Sequence, residues 1–413
     1  MAPFHFVHAA DLHIDSPLIG LASKSEALSQ LIDDASRKAL DNLVSLAIEK
    51  NCRFMLIAGD LFDGEWRDFR TGQFFVERMR LLREAGIPVF IVLGNHDAEN
   101  KFTKRLEFSD NVQVFPSQRP ESIRLDDLEV AIHGQSFPRR DVTENLALGY
   151  PDPVAGYFNI GLLHTACTGR EGHQSYAPCS MDDMISRGYD YWALGHVHTR
   201  EILNQNPLII FPGNLQGRNA RETGPKGATL VTVDSGHVSD LEHRPLDIVR
   251  WSADRVDVRR CADAEAVVQE ARTRLEQLVL QAGDRALAVR LHICGETLLH
   301  DELVRRKLTV FEDIATAAAS VSSQIWIEKI ELETKPPTQE VAIDPSVAGR
   351  LQLIAEELSR SEEFKRAASQ IISEIRAKTP SGTAEDEFFN SLAVHSTVRA
   401  VELAKAIAAG GGK

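Results

Sequence analysis

Cysteine is scarce in this chain. The five present, Cys52, Cys167, Cys179, Cys261 and Cys294, form an odd, widely spaced set without a Cys-x-x-Cys pair. They support neither a disulfide framework nor a zinc ribbon, and they read as buried or incidental thiols. No apolar run approaches the roughly 20 residues that a helix needs to cross a bilayer. Residues 1–6 run into a short strand and lack the basic start and apolar stretch of a secretory signal, so a cytoplasmic protein is expected. Basic residues are also in deficit: 46 Lys and Arg against 60 Asp and Glu give a formal net charge of -14. That balance opposes a protein that coats nucleic acid through counterion release. It is not decisive, because bound metal would neutralise several carboxylates and a basic track can sit within an acidic remainder. No aromatic cluster offers a base-stacking platform, and there is no internal repeat or long low-complexity tract.

What is present is ordinary globular material. Hydrophobic residues at 43% and charged residues at 26% argue against disorder, and 413 residues exceed what one core usually covers, so several domains are expected. Between residues 4 and 94, apolar runs at Phe4–Ala9, Phe54–Ala58 and Val89–Leu93 alternate with helical patterns near 25–50 and 68–85. This alternation predicts parallel strands with crossover helices and functional residues at the strands' C-terminal ends. From 112 to 245 the pattern turns strand-rich: Ser122–Phe137, Phe158–His164, Tyr191–Leu194, Leu208–Phe211 and Ala228–Val233, punctuated by Gly, Pro and Asn. A second sheet facing the first is expected from these. Helical patterns at 263–282 and 298–320 then alternate with strands at 287–294 and 325–332 in what reads as a small α+β domain. Lys335-Pro336-Pro337 breaks regular structure, and 346–408 is helical in pattern before a Gly-rich tail. The expected domains are 1–247, 248–334 and a helical region 346–413, with 335–345 as linker.

Short polar motifs follow the apolar runs: Asp11-Leu12-His13, Gly59-Asp60-Leu61-Phe62-Asp63, Gly94-Asn95-His96-Asp97, His164, and Gly195-His196-Val197-His198. Each alone is weak, since a single His at a strand end is more often a hydrogen-bonded structural residue than a ligand. Together they place Asp, His and Asn where one pocket could collect them. Carboxylate, imidazole and amide-oxygen ligands suit divalent manganese, iron or zinc. In Asp-x-His and His-x-His on extended backbone, residues two apart point the same way and can reach one metal region. A carboxylate such as Asp60 can bridge two ions, and two ions can clamp both oxygens of a phosphoryl displacement.

With this ordered set over residues 11–198, the sequence resembles the calcineurin-like metallophosphoesterases. The resemblance implies an α/β fold with a two-sheet metallophosphoesterase sandwich flanked by helices. It implies one ion held by Asp11, His13, Asp60 and His198, and another held by Asp60, Asn95, His164 and His196. It also implies that His96 is a general acid rather than a ligand and that Asp63 orients it, in keeping with the need of a poised imidazole for a carboxylate on its other nitrogen. For Asp97, a further orienter of His96 and a helix-initiating residue are both open. Asp15 and His8 read as structural. His173 is a surface-loop residue or a substrate contact.

Within the superfamily the chain is most similar to bacterial DNA repair exonucleases of the SbcD and YhaO type. The similarity is carried by Ala9-Ala10-Asp11-Leu12-His13-Ile14-Asp15-Ser16-Pro17, by residues 59–63, by Phe211-Pro212-Gly213-Asn214-Leu215-Gln216-Gly217-Arg218 and by Glu222-Thr223-Gly224-Pro225-Lys226-Gly227. It implies two divalent ions, manganese foremost, DNA as substrate, a small capping domain and a helical tail that docks on a coiled-coil ATPase subunit of the SbcC type, with homodimerisation through the catalytic domain. A protein Ser/Thr phosphatase of the superfamily would carry Arg soon after Asp63 and Glu in place of Asp97. The lipid-precursor pyrophosphatases carry Arg where His96 stands. A small-molecule phosphodiesterase acting on cyclic nucleotides or glycerophosphodiesters remains the alternative. So does a scaffold subunit of a repair complex, although the ligand set is intact. Arg139, Arg140, Arg200, Arg218, Arg221 and Lys226 could hold flanking phosphates or be solvated loop charges, with Arg218 and Arg221 the preferred substrate-binding pair. In the tail, Val347, Leu351, Ile354 and Leu358, then Phe364, Ala368, Ile371 and Ile375, recur at helical spacing. Such stripes usually mean core, and after the Pro336-Pro337 break a partner-docking hairpin is the other option.

Overall fold

The computed structural model describes residues 2–16, 26–63, 70–99, 106–167, 176–337, 353–354, 357 and 361–378. The chain separates into two compact units, Met1–Pro336 and Pro337–Lys413.

In the first unit, strands β1 (Phe4–Ala9), β2 (Phe54–Ala58), β3 (Val89–Val92) and β4 (Val112–Val114) run parallel. Helices α1 (Glu26–Glu49) and α2 (Arg70–Glu84) supply crossovers. Every residue of β2 and β3 is buried, which is why these strands read as unbroken apolar runs rather than alternating ones. One face, with Val7, Met55, Ile57 and Ile91, packs on Leu43, Ala47, Phe75 and Met79 of the two helices. The other, with Phe6, Phe54, Leu56 and Phe90, packs on Val130, Ile132, Ile160, Leu162 and Tyr191 of the second sheet.

The second sheet has the order β5-β6-β7-β8-β10-β9. Its members are β5 (Glu121–Leu125), β6 (Val130–Gly134), β7 (Phe158–His164), β8 (Tyr191–Gly195), β9 (Glu201–Gln205) and β10 (Leu208–Phe211). The expected run 122–137 is thus a hairpin, turned by Asp126–Glu129 with Glu129 in the left-handed region at φ 52°. The short helices α3 (Asn95–Glu99) and α4 (Met181–Ile185) lie after β3 and before β8.

One sequence expectation is overturned. The run Ala228–Val233, expected in the second sheet, lies in β11 (Gly227–Asp234), which together with a further strand β12 (His237–Pro245) extends the first, β11 lying antiparallel to β1 in the order β12-β11-β1-β2-β3-β4. The reason is two-sided apolarity. Ala228 and Leu230 join the helix-side core while Val231 and Val233 join the inter-sheet core, and a strand between two others, β1 and β12, buries both. Strand β4 likewise belongs to the first sheet.

A third, all-parallel sheet follows: β13 (Val249–Asp257), α5 (Ala264–Ala282), β14 (Ala286–Glu296), α6 (His300–Arg305), α7 (Lys307–Val321) and β15 (Ile325–Lys335). Leu275, Leu287, Val289, Leu291 and Ile314 form its own core. The helical run expected at 298–320 is two helices, broken at Arg306.

In the second unit the described helix is α8 (Glu362–Lys378). Ile354 and Ile371 are exposed. Val347, Leu351 and Leu358 lie outside the described residues, as do the side chains of Ala368 and Ile375. Among the described residues no helix is long and apolar enough to cross a membrane.

Candidate metal centre

The polar motifs converge because each begins where a parallel strand ends. Asp11 follows β1, Asp60 follows β2, Asn95 and His96 follow β3, His164 closes β7, and His196 follows β8. Backbone bonds knit the loops: Asp11 N–H donates to Gly59 O at 3.0 Å and His13 N–H to Asp60 O at 3.1 Å. The sequence pattern suggests extended segments, but the backbone here is not extended. Asp11 (φ 51°), His13 (φ 42°), Asp60 (φ 52°) and His196 (φ 100°) all occupy the left-handed region, which costs non-glycine residues free energy and recurs at functional sites.

Glycine permits the approach of the two sheets. A Cβ on Gly195 would lie 1.8 Å from Ala58 O, backbone that cannot step aside. Gly195→Ala is therefore expected to destabilise the fold by about 3 kcal/mol, the upper part of the usual overpacking range. A thermal unfolding midpoint equal to that of the parent protein would contradict this close approach.

Three overlapping groups could hold cations: Asp11, His13 and His198; Asp60, His164 and His196; and His13, Asp60 and His96, each with donor atoms within 4.8 Å of one another. Asp60 Oδ2 stands between the first two, 3.9 Å from His13 Nε2 and 3.5 Å from His164 Nε2. Asn95 Oδ1 lies 3.0 Å from His164 Nε2. The structure thus brings all seven sequence-derived ligand candidates into one cluster.

The donor set fits divalent ions. His164 Nδ1 is 2.8 Å from Ala58 O, and a carbonyl only accepts, so the proton sits on Nδ1 and Nε2 presents a bare lone pair. That lone pair faces Asn95 Oδ1, another acceptor, and a cation satisfies both. His13 Nε2 and His198 Nε2 likewise meet at 3.1 Å, while His13 Nδ1 is buried without a hydrogen-bond partner. Burial, then the neighbouring Asp60, raises the Asp11 carboxyl well above the usual range. Burial, then the charge of Arg218 and the neighbouring imidazoles, holds His13 well below its ordinary value. The chain alone therefore disfavours the anionic carboxylate, and a bound dication reverses that while matching neutral imidazoles.

His96 stands beside this cluster. Its Nδ1 is 3.1 Å from Asp63 Oδ1, and its side chain is 30% exposed. Asp63 also accepts from Ser16 Oγ at 2.7 Å. Asp97 is buried and holds backbone, accepting from Leu61 N at 3.0 Å, Phe62 N at 3.3 Å and Gly94 N at 3.1 Å. Burial, followed by Asp60, pushes it up to about 8. It thus ties the loops after β2 and β3 together, and its Gly94 contact is a helix-initiating one. Asp15 pairs with Arg37, and His8 bridges Tyr191 and Leu194 O.

Of the two arginines expected at substrate, Arg218 is at the centre but engaged: Nη1 is 3.6 Å from Asp63 and Nη2 is 3.2 Å from Glu222. Arg221 is exposed. Arg139 and Arg140 pair with Glu144 and Glu99, while Lys226 Nζ donates to His198 O at 2.7 Å. His173 lies outside the described residues. Glu222 was missed as a site residue. Its Oε1 is 2.8 Å from His198 Nδ1, and nothing local in the sequence marks a glutamate 24 positions away as that partner. A further His292, Glu331 and Glu333 group lies on the third sheet, with Glu333 already paired to Arg255 at 3.2 Å.

A family model described as calcineurin-like phosphoesterase matches residues 4–200, and one described as metallophosphoesterase YhaO, middle domain, matches residues 251–335. The chain is 33% identical over 365 residues to the uncharacterized metallophosphoesterase YhaO of Bacillus subtilis, covering 86% of this chain and 87% of that protein. It is 25% identical over 325 residues to the DNA double-strand break repair protein Mre11 of Methanopyrus kandleri, covering 69% of each. To the Mre11 protein of Thermoplasma acidophilum it is 23% identical over 352 residues, covering 79% of this chain and 86% of the other.

Proposed function

The chain belongs to the calcineurin-like metallophosphoesterases, with a YhaO-type middle domain, and from that premise we propose that it is a two-metal phosphodiesterase acting on DNA. The observation that carries the chemistry is Asp60, set between two cation-competent groups with the His96–Asp63 pair beside them. Asp11, His13, Asp60 and His198 would hold one ion, and Asp60, Asn95, His164 and His196 the other, with manganese as the proposed metal. When bound, the ions supply Lewis-acid activation of water and neutralise phosphoryl charge. The protein's own residues do the rest. Asp63 accepts from His96 Nδ1–H and so presents Nε2–H to the leaving oxygen, to which that proton passes. The hydrogen bond from His96 N to Asp60 Oδ1, 3.1 Å, fixes the acid relative to the shared carboxylate. Arg218 adds positive charge next to Asp63, and Arg221 remains a candidate phosphate contact.

DNA as substrate is supported by the similarity to two proteins named for double-strand break repair. The net charge of -14 requires that backbone contacts rest on local cations. The same proposal includes a coiled-coil ATPase subunit as partner of the C-terminal helices, and a cytoplasmic location. Metal-stripped protein reloaded with manganese is expected to release nucleotides from linear DNA. Robust hydrolysis of cyclic nucleotides or glycerophosphodiesters with none on DNA, single- or double-stranded, would establish the small-molecule alternative instead.

A further inference from the structure

We infer that Glu222 is a positioning residue for the metal centre, and that it is set in place by the third-sheet domain through the strap of residues 214–224. The inference rests on the two-metal reading above and concerns a residue outside the ligand set.

Glu222 uses both carboxylate oxygens. Oε1 takes His198 Nδ1 at 2.8 Å, and Oε2 accepts from Asn214 Nδ2 and Arg218 N, both at 2.8 Å. A carboxylate that already takes two N–H donors on Oε2 accepts through Oε1 as well. His198 therefore carries its proton on Nδ1, and Nε2 turns a bare lone pair toward His13 Nε2. Arg218 Nη2 also lies 3.2 Å from His198 Nδ1, but a guanidinium is donor only, so that contact cannot coexist with Nδ1–H donating to Glu222. The shorter, carboxylate contact decides, and Arg218 donates to Glu222 Oε1 instead. Partners of this kind fix ring orientation and raise ligand basicity.

The strap has a second anchor. Gln216 is buried and spans to β13: its Nε2 donates to Val249 O at 2.6 Å, and its Oε1 accepts from Ile248 N at 2.8 Å and Val249 N at 3.2 Å. Trp251 is buried and donates Nε1–H to Gly217 O at 3.0 Å, and its carbonyl accepts from Gly224 N at 2.9 Å. On the other side the strap meets the centre, Leu215 N donating to Asp11 O at 3.4 Å. The first strand of the third sheet therefore holds both ends of the segment that orients His198.

The test is manganese titration into the metal-stripped full-length protein by calorimetry, with no substrate present. Glu222→Ala is expected to weaken one of two ions about 10–100-fold, the range for removing such a partner, while the other keeps its affinity. Trp251→Phe, which keeps an aromatic ring but removes the Nε1–H donor along with the five-membered ring of this buried indole, is expected to weaken the same ion by a smaller factor. Wild-type affinity for both ions in Glu222→Ala, or equal weakening of both, overturns the inference. Should the alanine variant fail to fold, ¹⁵N NMR of the imidazoles in the wild-type protein decides: a His198 protonated at Nδ1 supports it and one protonated at Nε2 overturns it. Two ions bound, one of them Glu222-dependent, supports it whatever the substrate proves to be. A wild-type chain that takes up no manganese overturns the metal centre and this inference together.

Discussion

Asp60→Asn is expected to lower hydrolysis of any phosphodiester by more than about 10³-fold, at least the loss seen when a key electrostatic group is removed from an active site. The purified variant is expected to hold at most one equivalent of metal. The side chain is buried, its Oδ1 accepts from His96 N, and its Oδ2 lies near imidazoles of both cation-competent groups. A single carboxylate can coordinate two ions and cancel part of the charge of each. An amide of the same shape offers one weaker oxygen and, on the other side, a donor that repels a cation. Because Asn is isosteric, the fold should survive, so the loss reports on the centre itself. Metal content by mass spectrometry together with turnover of a nitrophenyl phosphodiester checks the prediction, and two full equivalents with normal turnover would falsify the bridging role.

His96→Ala separates the acid from the ligands. His96 lies in one of the three cation-competent groups, so proximity alone would allow it to coordinate. We propose that it serves proton transfer instead, a reading supported by its partial exposure and its 3.1 Å contact with Asp63. The alanine variant is expected to keep both metals and to lose about 10²–10⁴-fold in rate on a substrate with a poor leaving group, the usual worth of general acid catalysis. On a nitrophenyl ester, whose leaving oxygen needs little protonation, the loss should shrink. An equal loss on both substrates, or a missing metal ion, would return His96 to the ligand set.

How the candidate residues meet differs from what the sequence pattern suggested. On extended backbone the spacing of Asp11 and His13 would aim both side chains the same way, yet both residues are left-handed. The resulting turn carries His13 Nε2 to within 3.1 Å of His198 Nε2, across from the other sheet. Likewise His196 and His198, two apart, fall in different cation-competent groups, with His196 at φ 100°. Periodicity assumes a regular backbone, and at strand ends the backbone stops being regular.

Sequence by itself determined the chemistry on offer and its placement at strand ends. Buried parallel strands are apolar on both faces, so they stand out as short runs, and the polar residues that follow each run are read locally. Which sheet a run joins was not local: the 227–245 hairpin went to the first sheet because β11 had two apolar faces to bury. Nor was the use of each polar group. Asp97 became a backbone brace for the loops after β2 and β3, Arg218 was drawn to Glu222 and Asp63, and Glu222 became the partner of His198. These outcomes depend on which groups burial leaves facing one another. A buried donor or acceptor must be matched by whatever the folded chain brings within 3 Å or so, and only the tertiary structure decides what that is.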